Sequence, residues 1–241
     1  METLESFIQR TITCGTAEAL FHAFDQHLAR YGIEYSAYFI MAKRLRAIAP
    51  GTGLVRQNYP RDYARQYIEK NFGKIDPIIQ QALKEAEAFH WKDVYDKRPV
   101  NAQQEMIFAA HKQAGFIDGI AVPVFGPMGT IAIFSLTAKN IEFDLSRAQL
   151  VALQFACLHT HNRYFEIEQI NGDDPEKPLS PREMEALSLV ADGLANKEIA
   201  EKLGVTENTV DTMLRRVFVK FGVNNRISAV LKGIGCGLLL P

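Results

Sequence analysis

Apolar residues recur at helical spacing over residues 3–13 (Leu4, Phe7, Ile8, Ile12) and 16–31 (Leu20, Phe21, Phe24, Leu28). That pattern predicts two amphipathic helices, the second closed by Gly32. Residues 35–42 (YSAYFIMA) lose the helical period and are rich in aromatic and branched side chains, the composition of a strand buried on at least one face. Pro50-Gly51-Thr52-Gly53 reads as a turn. Asn58-Tyr59-Pro60 leads into a helix through about Phe72. Asp76-Pro77 opens another, with aspartate as cap and proline in the first turn. A short strand around Phe89-His90-Trp91 precedes a loop with Pro99, then a helix from about Asn101 to Ala114 that ends at Gly115. Two strands, 119–125 and 130–136, are joined as a hairpin by Gly126-Pro127-Met128-Gly129. A long helix then runs from Asp144 to about Gln169.

The pattern breaks at residues 171–179, which are polar and rich in turn formers, the composition of a linker. Beyond it, Ser180-Pro181-Arg182-Glu183 is a capping box with proline at the first helical position. Met184, Leu187, Leu189 and Val190 follow at helical spacing until Gly193. Asn196 is the expected cap of a second helix through Leu203, stopped by Gly204. Thr206 caps a third, to about Phe221. A short helix, a tight turn and a longer helix make a helix-turn-helix, whose second helix enters the DNA major groove. At about 100° per residue, Val210, Leu214, Val217 and Phe221 fall in one narrow arc and form the buried stripe. Asn208, Asp211, Thr212 and Arg215 fall opposite, polar and able to bond base edges, with Arg215 and Asp211 the leading base-contact candidates. Arg216 and Lys220 on one flank, and Lys197 on the preceding helix, are the expected phosphate contacts.

The predicted architecture is α+β. Residues 1–170 form an α/β/α sandwich around a mainly antiparallel sheet, 171–179 a linker, and 180–241 a small all-α domain. No apolar run approaches the ~18 residues of a membrane span. The start, METLESFIQR, is acidic where a secretory signal is basic. The three cysteines, Cys14, Cys157 and Cys236, are odd in number and far apart, as expected in a reduced, cytoplasmic setting. Cys157, His159 and His161 invite a metal reading. Cys157 and His161 share a helix face, but His159 points elsewhere and no further ligand is near, so no metal site is expected. No nucleophile motif, phosphate loop or paired histidine–acid signature points to catalysis. The net charge of −1 speaks against sequence-blind coating of nucleic acid. From Asp173 onward there are nine Lys and Arg against ten Asp and Glu, so one copy should grip DNA weakly.

The C-terminal run Leu179-Ser180-Pro181-Arg182-Glu183, Gly193, Asn196-Lys197-Glu198-Ile199-Ala200, Leu203, Thr209-Val210, Lys220-Phe221-Gly222-Val223 and Asn225-Arg226 resembles the LuxR/NarL class of bacterial regulators. What precedes it lacks the alternating parallel strands and helices of a phosphoacceptor receiver. Tyr59-Pro60, Tyr67, Asp76-Pro77, Trp91, Gly119 and Phe134-Ser135-Leu136 instead resemble the acyl-homoserine-lactone-binding domain of quorum-sensing LuxR-type receptors.

That resemblance implies that Asp76 accepts from the ligand amide, Tyr59 donates to the acyl carbonyl, Tyr67 and Trp91 pack around the ligand, and Ser135 adds a polar contact. It implies no cofactor beyond this autoinducer. It implies a homodimer on a palindromic double-stranded DNA site, with RNA polymerase as a further partner. Glu183 matches a position tied to activity in that class, although its capping box accounts for it. One residue of the ligand-binding set departs from the pattern. Tyr63 stands where the family usually has a tryptophan that donates to the lactone carbonyl. Two readings follow: a lactone in a shifted pose, or an orphan regulator that is ligand-independent or takes a non-lactone metabolite.

Overall fold

The computed structural model describes residues 3–41, 53–96, 101–126, 130–168 and 178–239. The predicted turn at Pro50–Thr52, the loop around Pro99, the tip Pro127–Gly129 and residues 171–177 of the linker lie outside them. The described residues fall into two compact units, one containing 3–126 and 130–168 and the other 178–239.

The first unit is a five-stranded antiparallel sheet with helices on both faces. Its strands are β1 (Tyr35–Ile40), β2 (Leu54–Gln57), β3 (Phe89–His90), β4 (Gly119–Phe125) and β5 (Ile131–Thr137), in spatial order β2-β1-β5-β4-β3. Helices α1 (Leu4–Ile12), α2 (Ala17–Leu28) and α7 (Arg147–Ile167) cover one face. There Phe7, Leu20, Phe24, Leu153 and Ala156 pack on Tyr38, Val122 and Phe134. Helices α3 (Arg61–Glu69), α4 (Pro77–Ala82), α5 (Trp91–Tyr95) and α6 (Ala102–Ala114) cover the other.

The faces differ in side-chain size. Ala37, Ser135 and Ala121 are direct cross-strand partners on the second face, while Tyr38, Phe134 and Val122 are the partners one residue along, on the first. A row of small residues thus floors one layer, and a row of large ones fills the other.

Local chemistry moved some expected boundaries. The long helix starts at Arg147 rather than Asp144, because Ser146 and Gln149 form a capping box. Trp91 opens a helix instead of ending a strand, since β3 is only two residues long. Strand β2 was not expected. LVRQ is four residues without alternation, and it pairs along β1 at the sheet edge.

The second unit is all helical: α8 (Pro181–Ala191), α9 (Asn196–Leu203), α10 (Glu207–Phe221) and α11 (Arg226–Gly235). Ser180 makes the expected capping box with Glu183, and Thr206 caps α10. The cap of α9 is Ala195, not Asn196. The Glu198 carboxylate reaches back to accept from the Ala195 amide at 2.7 Å, so the acid does the work expected of the asparagine.

Candidate ligand cavity and nucleic-acid interface

On the small-residue face the helices do not meet the sheet everywhere. A cavity of about 220 Å³ remains, floored by Ala37 and Ser135. Tyr59, Tyr63 and Tyr67 stand at four-residue spacing along one wall, with Asp76, Trp91 and His111 completing it. All six expected ligand residues therefore line one cavity.

Asp76 is 4% exposed and does two jobs. One carboxylate oxygen caps α4 by accepting from the Ile78 amide at 2.8 Å, and the other accepts from the Tyr67 hydroxyl at 2.7 Å. Burial pushes this carboxyl above the usual range, partly offset by the Tyr67 hydroxyl and the backbone amides. The Tyr59 hydroxyl donates to the Ser135 carbonyl at 3.1 Å and lies 3.2 Å from its Oγ. Tyr63 packs among Tyr59, Tyr67, His111 and Phe116, and its hydroxyl makes no hydrogen bond among the described residues. Trp91 lies on Gly119, where an added Cβ would fall 2.4 Å from an indole carbon. The glycine is there to admit the indole, whose N–H is buried without a partner among the described residues.

His111 was missed in the sequence. It stacks on Trp91 with ring centres 4.9 Å apart, and its Nδ1 is 3.0 Å from the Tyr95 hydroxyl. Burial lowers its pKa to about 3, so it is neutral. Its spacing from Ile107, four residues earlier on the buried side of α6, was the available signal. Asp118, also missed, is structural: its carboxylate accepts from the Phe143 amide at 3.3 Å and pairs with His90 Nδ1 at 3.3 Å.

The Cys157, His159 and His161 group lies with the other face. His161 Nδ1 is 2.6 Å from the Tyr38 hydroxyl and His159 Nε2 is 2.7 Å from the Thr11 hydroxyl. Among the described residues no group of three His, Cys, Asp or Glu side chains could hold a metal ion.

In the helical unit Val210, Leu214, Val217 and Phe221 are buried, and Asn208, Thr212, Arg215, Arg216 and Lys197 are exposed. Asp211 is half-buried, and its Oδ2 accepts from Arg215 Nε at 2.9 Å. The Thr212 hydroxyl donates to the Asn208 carbonyl at 2.9 Å. Lys220 departs from expectation. Its amine donates to the Glu183 carboxylate at 2.6 Å and to the Pro178 carbonyl at 2.9 Å, contacts within its own domain that the helical angles did not foretell. Burial alone would raise the Glu183 carboxyl; the Lys220 and Ser180 hydrogen bonds outweigh it and hold the carboxyl below its usual range.

Residues 16–164 match the autoinducer binding domain family, and residues 177–232 match the luxR family of bacterial regulatory proteins. The chain belongs to the LuxR family. It is a quorum-sensing transcriptional regulator with an autoinducer-binding domain, not an enzyme.

This LuxR-family chain is 30% identical over 227 residues to RpaR of Rhodopseudomonas palustris (strain ATCC BAA-98 / CGA009), an HTH-type quorum sensing-dependent transcriptional regulator. That match covers 92% of this chain and 89% of RpaR. It is also 30% identical over 182 residues to the HTH-type protein y4qH of Sinorhizobium fredii (strain NBRC 101917 / NGR234), covering 76% of this chain. There the chain spans only 56% of the relative's length. The crystal structure of Escherichia coli SdiA shares the fold, with a TM-score of 0.77 at 20% identity over 99% of this chain and 98% of that one. Among the described residues no helix is long and apolar enough to cross a membrane.

Proposed function

We propose that this regulator binds an N-acyl-homoserine lactone in the cavity and, as a dimer, a palindromic DNA site through α10. The observation that carries the ligand reading is the Asp76 carboxylate, buried in the wall of an aromatic cavity. An amide-linked lactone needs one strong acceptor, one or two donors and an apolar enclosure. Asp76 takes the ligand amide N–H, Tyr59 turns its one O–H from the Ser135 carbonyl to the acyl carbonyl, and Ser135 adds a polar contact. Tyr63, Tyr67 and Trp91 enclose the head group. Bound ligand fills the hollow and stabilises the domain by mass action.

Pairing then sets two recognition helices one turn of DNA apart. Ile227 and Leu231 on α11 are exposed, 75% and 58%, and offer an apolar stripe for that pairing. Arg215 and Asp211 read base edges, with Thr212 and Asn208 beside them, while Arg216 and Lys197 contact phosphates. Lys220 is assigned to holding Glu183.

Calorimetric titration with N-octanoyl-homoserine lactone tests the ligand half. Saturable binding that Asp76→Asn weakens at least about tenfold supports it, and absence of binding sinks it. For the DNA half, Arg215→Ala should cost about 1–3 kcal/mol on the palindrome and far less on random sequence; equal loss on both removes the base-contact role.

A second reading is favoured by Tyr63, whose hydroxyl has no partner among the described residues and stands where a larger indole donor is usual in the family. On that reading the pocket takes a non-lactone metabolite or works without ligand. Protein purified from cells with no lactone source separates the two: a soluble dimer that binds DNA fully without added ligand favours the second.

A further inference from the structure

The polar groups around the cavity are unbalanced. Both Asp76 oxygens already accept hydrogen bonds, and the Tyr59 hydroxyl already reaches Ser135. Three groups on the lining have no partner among the described residues: the Tyr63 hydroxyl, the Trp91 indole N–H and the second ring nitrogen of His111. Two of these are donors by nature. The third depends on a tautomer.

Tyr95 fixes that tautomer. Burial raises its phenol well above the usual range, so the proton stays on oxygen. That proton has no partner among the described residues except His111 Nδ1, 3.0 Å away. If Nδ1 carried the hydrogen, it would donate to the phenol oxygen and the phenol's own hydrogen would be left without a partner among the described residues. The phenol therefore donates, Nδ1 accepts, and the hydrogen of the neutral imidazole sits on Nε2. Stacking on Trp91, with planes 23° apart, holds the ring in place beside Tyr63, whose ring centre is 5.8 Å away.

We propose that His111 is a ligand-contacting residue whose Nε2–H donates to a carbonyl oxygen on the ligand head group, with Tyr95 as its positioning residue. The inference rests on the lactone reading above and sharpens it. It supplies a donor next to Tyr63, and it makes the head group an acceptor of hydrogen bonds rather than an apolar ring or a cation.

Two probes isolate the contact: N-octanoyl-homoserine lactone, and N-octanoyl-3-aminotetrahydrofuran, which keeps the amide and the ring but lacks the lactone carbonyl. Both are titrated into the full chain and into His111→Phe, His111→Gln and Tyr95→Phe. Phenylalanine keeps the stack on Trp91 without the donor, and should lose roughly tenfold in affinity for the lactone and almost nothing for the tetrahydrofuran. Glutamine, whose amide can place an N–H near Nε2, should recover much of the loss. Tyr95→Phe should show a smaller loss, again confined to the lactone. Binding of the tetrahydrofuran probe also reports that each variant is folded. Equal losses on both probes would make His111 a packing residue and overturn the proposal, as would an unchanged lactone affinity in His111→Phe. If the unaltered chain binds neither probe, the lactone reading itself fails and takes this inference with it.

Discussion

The two faces of the sheet are made from alternate residues of the same strands, and they do opposite things. Toward α1, α2 and α7 the central row is Tyr38, Phe134 and Val122; toward α3 to α6 it is Ala37, Ser135 and Ala121. Phe134 stacks on Tyr38 with ring centres 4.4 Å apart and is fully buried, as a close-packed core requires. One residue later, Ser135 floors a cavity of about 220 Å³. In a sheet covered on both sides, the two-residue period separates packed from hollow instead of inside from outside. The hollow side gives up dispersion contacts, and a ligand can return them. That contrast makes the closed face responsible for the fold and the open face for the response.

The sharpest way to break the comparison is at Phe134. Phe134→Ala on the closed face should cost about 3–5 kcal/mol, a large share of the roughly 5–15 kcal/mol that keeps an ordinary domain folded. Ligand should add only the mass-action increment that it gives the unaltered chain, because the void lies on the other side of the sheet and leaves the cavity as it was. Thermal melts with and without N-octanoyl-homoserine lactone check this. A ligand-induced gain in the variant clearly larger or smaller than that in the unaltered chain would mean that the faces are not independent.

Asp76 comes next, and it ties the open face to pH. Its carboxyl is raised in the fold, first by burial, so between the unfolded value of about 4 and the raised value the folded chain holds a proton that the unfolded chain has released. This contribution to stability is complete below about pH 4 and is lost as pH rises through the folded pKa. Asp76→Asn should remove that slope from the ligand-free protein. A ligand amide donating to the carboxylate favours the charged form, so lactone affinity should rise with pH over the same window and lose roughly ten- to a hundredfold in the variant. Titrations across pH check both signs. A lactone affinity that falls with rising pH would remove Asp76 as the amide acceptor.

Much of this was legible before the structure, for identifiable reasons. Helix ends that rest on local chemistry, such as Ser180 with Glu183 or Thr206, are written in adjacent residues and came out where expected. The buried stripe of α10 follows from periodicity alone. What was not legible depends on partners distant in the chain. Helical angles put Lys220 on a phosphate-facing flank, but Glu183, on another helix, claims its amine. His111 looks like any residue of an amphipathic helix until Trp91 and Tyr95 close on it. Asp76 allowed two readings, cap or cavity carboxylate, and the structure gives it both positions, one oxygen for each.

Gly119 sharpens the comparison at the rim of the hollow. A methyl group there would meet three indole atoms of Trp91 at 2.4 to 2.7 Å, so the ring must move. With the closed face rigid behind β4, the indole can only shift toward the cavity or His111. Gly119→Ala should therefore cost about 1–3 kcal/mol in stability and reduce lactone affinity more than stability. Melting and titration of the same preparation measure both. A variant that melts lower yet binds normally would show that the indole yields away from the cavity.

The smallest effect should be at Ser135, beside the most sensitive position of all. Ser135→Ala removes Oγ but leaves the Ser135 carbonyl to accept from Tyr59, so the tyrosine keeps one of its two contacts. Stability should change by less than about 1 kcal/mol, against several for Phe134→Ala one residue earlier on the same strand. Lactone affinity should fall modestly, about two- to fivefold, if Oγ turns from Tyr59 to the ligand. The ratio of the two stability losses is the most direct measure of how differently the faces are loaded. If Ser135→Ala destabilised the ligand-free protein as much as Phe134→Ala does, the floor of the cavity would be carrying the fold, and the division of labour between the faces would be lost.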